Sequence, residues 1–268
     1  MSSRVDVWLV ANGFAPSRQK AQELIAAGRV VIAASNGTMT AIKKPSVLVD
    51  DKLASQIRLE SQDGPDFVSR GGLKLLGAIK SSGVSFLGCR VLDIGISTGG
   101  FADCALQAGA KSIVGVDVGH GQLAKKLADD SRVILLEGIN ARELGSESQA
   151  AQRGLVLKAN GGEKFEIVVV DVSFISLRLI LPSAAVLLRE GGHILALVKP
   201  QFEVGRDGIG RGGIVKDEKL YPAVETSLRD VCASLGLKVE SYFDSPIEGS
   251  DGNREFFIHA TVPQLGFF

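Results

Sequence analysis

The chemistry open to this chain is set by four residues. Asp171 follows the apolar run Glu166–Val170, and Lys199 follows His193–Val198. Short, β-branched, nearly continuous apolar runs read as parallel strands buried on both faces. A charged residue directly after such a strand lies at the carboxyl edge of the sheet, where α/β folds bind their ligands. Either charge alone fits a strand end exposed to water. Both together, ending two successive strands, favour catalysis. Lys74, in Arg70-Gly71-Gly72-Leu73-Lys74, is a candidate second cation. Glu255, in Asn253-Arg254-Glu255-Phe256-Phe257, is a carboxylate that could balance the charges. An unperturbed lysine, with a pKa of about 10.4, is mostly protonated at neutral pH. A neighbouring cation or the loss of water lowers that value enough for base chemistry on an alcohol.

A nucleotide-type crevice is expected beside these residues. The run Arg90–Ile94 ends in Asp93-Ile94-Gly95-Ile96-Ser97-Thr98-Gly99-Gly100-Phe101. A glycine-rich turn between strand and helix lets a ligand approach the backbone. The dinucleotide fingerprint needs glycine at position 97 in this frame, because that glycine admits a pyrophosphate. Ser97 stands there instead. S-adenosylmethionine carries no phosphate and does not need that glycine. Asp117 ends the next run, placed to accept hydrogen bonds from both ribose hydroxyls. Asn140, in Asn140-Ala141-Arg142 after the third run, suits an adenine edge, and equally a turn or cap. The expected cofactor contacts are therefore Asp93, Gly95, Ser97, Thr98, Gly99, Gly100, Phe101, Asp117, Asn140 and Asp171.

The elements that must hold these residues alternate in type. Strand candidates are Arg90–Ile94, Ser112–Val116, Arg132–Leu136, Glu166–Val170 and His193–Val198. Helical patterns near 100–109, 120–130, 174–189 and 218–235 lie between or after them. This is an α/β chain with a doubly wound, Rossmann-like sheet. Ahead of it is a small α+β module. Val5, Trp8 and Leu9 have helical spacing, closed by Asn12-Gly13. Ser17 is the expected N-cap of a second helix that carries Ala21, Leu24 and Ile25 and stops at Gly28. A strand begins at Val30, Asn36-Gly37 is a hairpin turn, and another strand lies near Ser55–Leu59. The polar stretch Ser61–Asp66 reads as linker. The expected division is 1–60, a linker at 61–68, and 69–268. Phe67-Val68 is either an apolar peg for that linker or the first buried pair of the larger domain.

Composition removes other classes. The 268 residues hold 30 Lys/Arg and 30 Asp/Glu, so bulk positive charge does not hold this chain to nucleic acid. The charge is segregated, at +4 over residues 1–49 and −4 over the rest. Arg4, Arg18, Lys20 and Arg29 belong to the basic head and are its expected RNA contacts, against the alternative of a solvated helix face. In Gly205-Arg206-Asp207-Gly208-Ile209-Gly210-Arg211-Gly212-Gly213, five glycines and two arginines suggest a mobile loop able to close over RNA backbone. Three scattered cysteines and three scattered histidines support neither a disulfide scaffold nor a zinc site, and no metal is expected. Apolar stretches are too short to span a bilayer. With no leader-like start expected, the cytoplasm is the expected compartment.

Two resemblances extend this reading. Arg4-Val5-Asp6, Leu9-Val10, Gly13-Phe14, Ser17-Arg18, Ala21, Leu24-Ile25 and Gly28-x-Val30 resemble the S-four-type RNA-binding domain, over roughly residues 3–60. Lys74, Asp171, Lys199 and Glu255 resemble, in order, the Lys-Asp-Lys-Glu tetrad of FtsJ (RrmJ)-type ribose 2′-O-methyltransferases. Ser69-Arg70-Gly71-Gly72, Ser97–Phe101, Asp171–Ser176 and Lys199–Glu203 are similar to the TlyA family across nearly the whole chain. That resemblance implies S-adenosylmethionine-dependent methylation of cytidine 2′-hydroxyls in ribosomal RNA, of the large subunit and in some members also the small. It implies ribosomal RNA or ribosomal subunits as the partner. It also implies Lys199 as base or nucleophile-orienting residue, Asp171 orienting Lys199, and Lys74 and Glu255 completing the electrostatics. Some members carry the label hemolysin. The alternatives are a non-catalytic RNA-binding or assembly factor and a membrane-active protein. The complete tetrad argues against the first, and the lack of an insertion segment against the second.

Overall fold

Alternation within the apolar runs decides how the large sheet is covered. In a strand successive side chains point to opposite faces. Leu92, Val114, Val168 and Ala196 pack in one buried cluster, and Val91, Ile113, Val169 and Leu195 in another. Both faces of these strands are therefore dry. The computed structural model describes residues 3–26, 28–33, 39–59 and 65–264. Contacts divide the chain into two units, Met1–Asp66 and Phe67–Phe268.

The smaller unit runs β1 (Ser3–Arg4), α1 (Val5–Ala11), α2 (Arg18–Ala26), β2 (Val30–Ala33), β3 (Met39–Ala41), β4 (Leu48–Val49), α3 (Asp51–Ala54) and β5 (Ile57–Leu59). β2 pairs antiparallel with both β3 and β5, and β1 with β4. Val5, Leu9, Ala21, Leu24, Ile25, Val30 and Ile57 form the core. Ser17 caps α2, its hydroxyl accepting from the Lys20 amide at 3.2 Å. The expected Asn36-Gly37 turn and residues 61–64 of the expected linker lie outside the described residues.

Asp6 adds an internal role for two of the basic residues of this unit. Its side chain is fully buried and accepts from Arg4 at 3.0 and 3.1 Å, Arg18 at 2.9 Å and Gln22 at 2.9 Å. Two of the four arginine and lysine residues assigned to RNA are thus tied to an internal carboxylate. Lys20 pairs with Glu23 at 3.2 Å, and Arg29 approaches Asp66 at 3.9 Å. The Arg4 guanidinium foremost, then Gln22 and Arg18, hold the Asp6 carboxyl well below the usual range against the opposing effect of burial.

The larger unit contains α4 (Gly71–Ser82), β6 (Arg90–Ile94), α5 (Gly100–Gln107), β7 (Ser112–Asp117), α6 (Lys125–Ala128), β8 (Val133–Glu137), α7 (Ala150–Ala159), β9 (Phe165–Val170), α8 (Leu181–Leu187), β10 (Leu188–Val198), α9 (Tyr221–Ser234), β11 (Lys238–Asp244) and β12 (Phe256–Thr261). The sheet order is β11-β12-β10-β9-β6-β7-β8. β12 is antiparallel to both neighbours, and the β10-β9-β6-β7-β8 ladder is parallel. From β6 the chain winds outward to β7 and β8, then returns to place β9 on the other side of β6. That reversal opens a crevice at the carboxyl ends of β6 and β9. α4 was not expected from the sequence. Phe67 is buried against it, and a Cβ on Gly72 would collide with the Phe67 ring. Phe67 is thus a core residue of this unit. The helix expected over 120–130 shrinks to the four residues of α6, and that over 174–189 to a 3-10 turn at Leu177–Leu179 followed by α8. Among the described residues no helix is long and apolar enough to cross a membrane.

Asp6→Asn keeps the size of the buried group and removes its charge. The variant should lower the melting temperature of the smaller unit, read through Trp8, the chain's single tryptophan. Because the folded-state pKa of Asp6 is depressed, its stabilisation is present above the unfolded value of about 4 and lost as pH falls below it. The parent should therefore lose stability on acidification in that range, and the variant should show less of that loss.

Candidate active site at the sheet reversal

The turn after β6 is shaped by backbone that L side chains rarely adopt. Gly95 sits at φ +83°, and a Cβ there would lie 2.5 Å from the Asp171 carbonyl oxygen. The turn after β6 thus touches the end of β9. Gly99 sits at φ +92°, where a Cβ would run into Leu127. Ser97, at φ +45°, holds a left-handed conformation without being glycine. Its amide donates to Asp117 at 2.9 Å and its hydroxyl to Gln122 at 2.9 Å. Asp117 also accepts from the Gly119 amide at 2.8 Å, so its carboxylate locks the two turns together. Thr98 is exposed on this turn, and Gly100 opens α5. The ring of Phe101, expected at the cofactor, is buried and stacks on Phe257, with centroids 6.1 Å apart. The Asn140 side chain donates to Glu143 at 2.8 Å and accepts from the Arg142 amide at 3.2 Å. That is a turn-capping arrangement. Val118, 66% exposed directly after Asp117, is an apolar residue at this edge that sequence reasoning passed over.

Asp93 is the unusual group of the crevice. It is 1% exposed, and neither carboxylate oxygen has a hydrogen-bond partner of normal geometry among the described residues. Burial, then the neighbouring Asp171, push its pKa well above the carboxylate range, with the Ala102 amide opposing and Asp117 adding a smaller push. A buried carboxylate without partners is costly. Three acids, Asp93, Asp117 and Asp171, thus converge where the sheet order reverses. S-adenosylmethionine, with its ammonium and sulfonium charges, fits this donor set: it brings cations to the orphaned Asp93 and its acidic neighbours and needs no phosphate cradle.

The tetrad residues meet as two ion pairs. Lys199 Nζ lies 2.7 Å from Asp171 Oδ1 and 2.9 Å from Ser173 Oγ. Lys74, brought by α4, lies 2.6 Å from Glu255 Oε2 just ahead of β12. Lys74 and Glu255 are both nearly buried. Burial raises the Glu255 pKa, Lys74 and Lys199 oppose it, and Asp171 adds to it, so the four groups act as one electrostatic cluster. Partners on both sides fix the direction of the Lys199 amine. Ser173 was not singled out from the sequence, although it lies two residues from Asp171. Phe174, next to it, is 90% exposed at φ +64° and packs on Phe202 with centroids 5.3 Å apart.

The glycine-arginine segment has local structure of its own. It forms two 3-10 turns, Arg206–Gly208 and Arg211–Gly213, with an antiparallel bridge between Ile209 and Val215. Buried Asn253 accepts from the Val215 amide at 3.1 Å and donates to the Gly213 carbonyl at 3.0 Å. The loop is thereby fastened two residues from Glu255, with Arg206 and Arg211 exposed. Among the described residues no group of three or more His, Cys, Asp or Glu could hold a metal.

Residues 67–262 match the FtsJ-like methyltransferase family, and residues 3–33 match the S4 domain. The chain is 42% identical over 264 residues, 98% of its own length and 87% of the relative's, to a Bacillus subtilis protein provisionally named rRNA methyltransferase YqxC. It is 40% identical over 256 residues, 96% of this chain and 88% of the relative, to the 16S/23S rRNA (cytidine-2′-O)-methyltransferase TlyA of Mycobacterium tuberculosis. A solved structure from Streptococcus thermophilus, which carries a hemolysin name, superposes with a TM-score of 0.70 at 37% identity, covering 98% of this chain and 89% of that one.

Gly95→Ala tests the contact between the two turns. Its Cβ has no room beside the Asp171 carbonyl, so the variant should be destabilised by about 2–4 kcal/mol and bind S-adenosylmethionine more weakly. Gly83→Ala, also at positive φ but with nothing within 4 Å, is the control. It should lose only about 1 kcal/mol and keep cofactor affinity. Urea unfolding and titration calorimetry read both.

Proposed function

This chain belongs to the FtsJ-like methyltransferase family, and from that premise we propose that it methylates the 2′-hydroxyl of cytidine ribose in ribosomal RNA. The target is large-subunit RNA, with small-subunit RNA as a second. The observation that carries this reading is the pair of ion pairs, Lys199 with Asp171 and Lys74 with Glu255, beside a crevice that holds the orphaned Asp93. S-adenosylmethionine supplies an electrophilic methyl group on a sulfonium.

Lys199 Nζ, held as the ammonium partner of Asp171, donates to the ribose oxygen and orients its lone pair toward the methyl group; the oxygen–carbon bond forms as the sulfur–carbon bond breaks, and the hydroxyl proton leaves to water. Asp171 and Ser173 hold that nitrogen in place, so little reorganisation is needed as the hydroxyl is attacked. Lys74 and Glu255 neutralise each other and keep a low-dielectric wall behind the reacting atoms. The cofactor lies along Asp93, the turn from Gly95 to Gly100, Asp117 and Asn140. Residues 1–60 hold folded RNA by phosphate and shape contacts. Lys20 and Arg29 make these contacts together with the outer faces of Arg4 and Arg18. Arg206 and Arg211 contact RNA backbone from the methyltransferase unit. Acting on ribosomal RNA, the chain works in the cytoplasm.

Lys199→Ala should lower single-turnover methyl transfer to unmodified ribosomal subunits by about 10²–10⁴-fold, with RNA and cofactor affinities retained. Wild-type transfer by that variant would refute the role given to Lys199. Arg206→Ala with Arg211→Ala should weaken RNA binding, more steeply at low salt, and leave cofactor affinity unchanged. Equal RNA affinity for variant and parent would remove these two residues from the RNA surface.

A further inference from the structure

Lys199 and Asp171 stand on separate strand ends, and the segments that follow them must keep a common register for the Lys199 amine to stay aimed. One segment is Asp171–Ser176, which leaves β9. The other is Lys199–Glu203, which leaves β10. The second is rigid. Pro200–Phe202 form a 3-10 turn, with the Phe202 amide on the Lys199 carbonyl at 2.9 Å and the Glu203 amide on the Pro200 carbonyl at 2.9 Å. Glu203 is therefore at a set distance from Lys199.

The first segment is not rigid by its own local bonding. It passes through Phe174 at φ +64°, a conformation that a non-glycine residue keeps only where its surroundings over-determine it. The ring is 90% exposed and touches the second segment where it packs on Phe202, so burial alone does not provide that constraint. The start of the segment is fixed by the sheet, with the Asp171 amide on the Ile94 carbonyl at 3.0 Å. Its far end is fixed by Glu203. That carboxylate is 8% exposed, accepts from Ser176 Oγ at 2.6 Å and the Leu177 amide at 2.6 Å, and lies 3.3 Å from Arg178 Nε. Arg178 in turn donates to the Glu203 carbonyl at 3.0 Å. Between the two anchors hang Ser173, whose hydroxyl holds Lys199, and Phe174.

We propose that Glu203 is a positioning residue for methyl transfer: its buried carboxylate latches Ser176 and Leu177 to the turn that carries Lys199, and so holds Ser173 Oγ against the Lys199 amine. The inference rests on the methyltransferase reading above. Glu203 touches neither substrate nor cofactor and acts through Ser173. Charge-assisted bonds to a buried carboxylate suit this task, since they are shorter and stronger than neutral ones. Their loss frees the downstream anchor without opening the sheet.

The test is a cycle of Glu203→Ala, Ser173→Ala and the double variant in the full-length chain, using unmodified large ribosomal subunits and labelled S-adenosylmethionine. Glu203→Ala should lower the single-turnover rate by about 30- to 100-fold. Cofactor affinity should stay within about twofold. In the Ser173→Ala background the further loss should shrink to about threefold or less, because the two residues act in series. Glu203→Gln, which keeps an acceptor oxygen, should recover part of the rate. Should Glu203→Ala fail to fold, Ser176→Ala removes one bond of the latch and should give the same pattern at about fivefold. An unchanged rate, losses that multiply fully in the double variant, or a parallel fall in cofactor affinity would overturn the proposal. A crystal structure of Glu203→Ala, or of Ser176→Ala in its place, separates it from the functional reading. Ser173 Oγ should leave hydrogen-bond reach of Lys199 Nζ, whereas the parent distance retained would contradict the latch whatever the RNA assay shows. No transfer by the wild-type chain would count against the methyltransferase reading alone.

Discussion

The ion pair between Lys199 and Asp171 spans the carboxyl ends of two neighbouring parallel strands, at 2.7 Å. It can form because β9 and β10 leave the sheet side by side, next to the point where the strand order reverses. Around it the other features fall into place. Gly95 brings the turn after β6 against the Asp171 carbonyl. Ser173 takes the third position around the amine. Glu255 enters from β12, the one strand antiparallel to its neighbours in that part of the sheet, and carries Lys74 with it. A lysine and a carboxylate in this semi-buried setting are expensive to separate, which keeps the amine aimed in the absence of RNA.

Charge is balanced locally in one part of the crevice and left unbalanced in another. The two lysines of the cluster are matched by two carboxylates. Asp93 is not matched, and its raised pKa records the cost. On the proposed function a cationic cofactor offsets that cost, and the same carboxylate contributes to affinity. In the smaller unit the logic is reversed. There Asp6 is surrounded by donors, and its carboxyl is driven down. The buried carboxylate stiffens the corner between α1 and α2 and presents two guanidiniums whose outer edges still face water.

What could be read from the sequence follows from where local signals are strong. The strands of the sheet were legible because burial on both faces demands unbroken β-branched runs such as Ile167–Val170. The glycine turn and the charged strand ends were legible because backbone strain and catalysis restrict residue type. α4 was hidden by Gly71, Gly72 and Gly77, which suppress helix propensity. Two of them are needed for close packing, Gly72 beneath Phe67 and Gly77 beneath Pro246. The course of the 205–215 loop was hidden because it depends on Asn253, some forty residues away. That Arg4 and Arg18 also hold an internal carboxylate was hidden, because nothing local reveals that Asp6 is buried. Glu203 carried no signal beyond its place in a motif, since its partners lie 26 and 27 residues upstream.

The acceptor atom is what separates ribose methylation from every other reaction open to this crevice. The direct measurement is to incubate separated, unmodified ribosomal subunits with this protein and labelled S-adenosylmethionine, digest the RNA to nucleosides, and identify the labelled product by mass spectrometry. The lysine-centred cluster predicts a 2′-O-methylated ribose, and the proposed function predicts that it is 2′-O-methylcytidine, from large-subunit RNA first. Label on a base, or no label in either subunit's RNA, would contradict it.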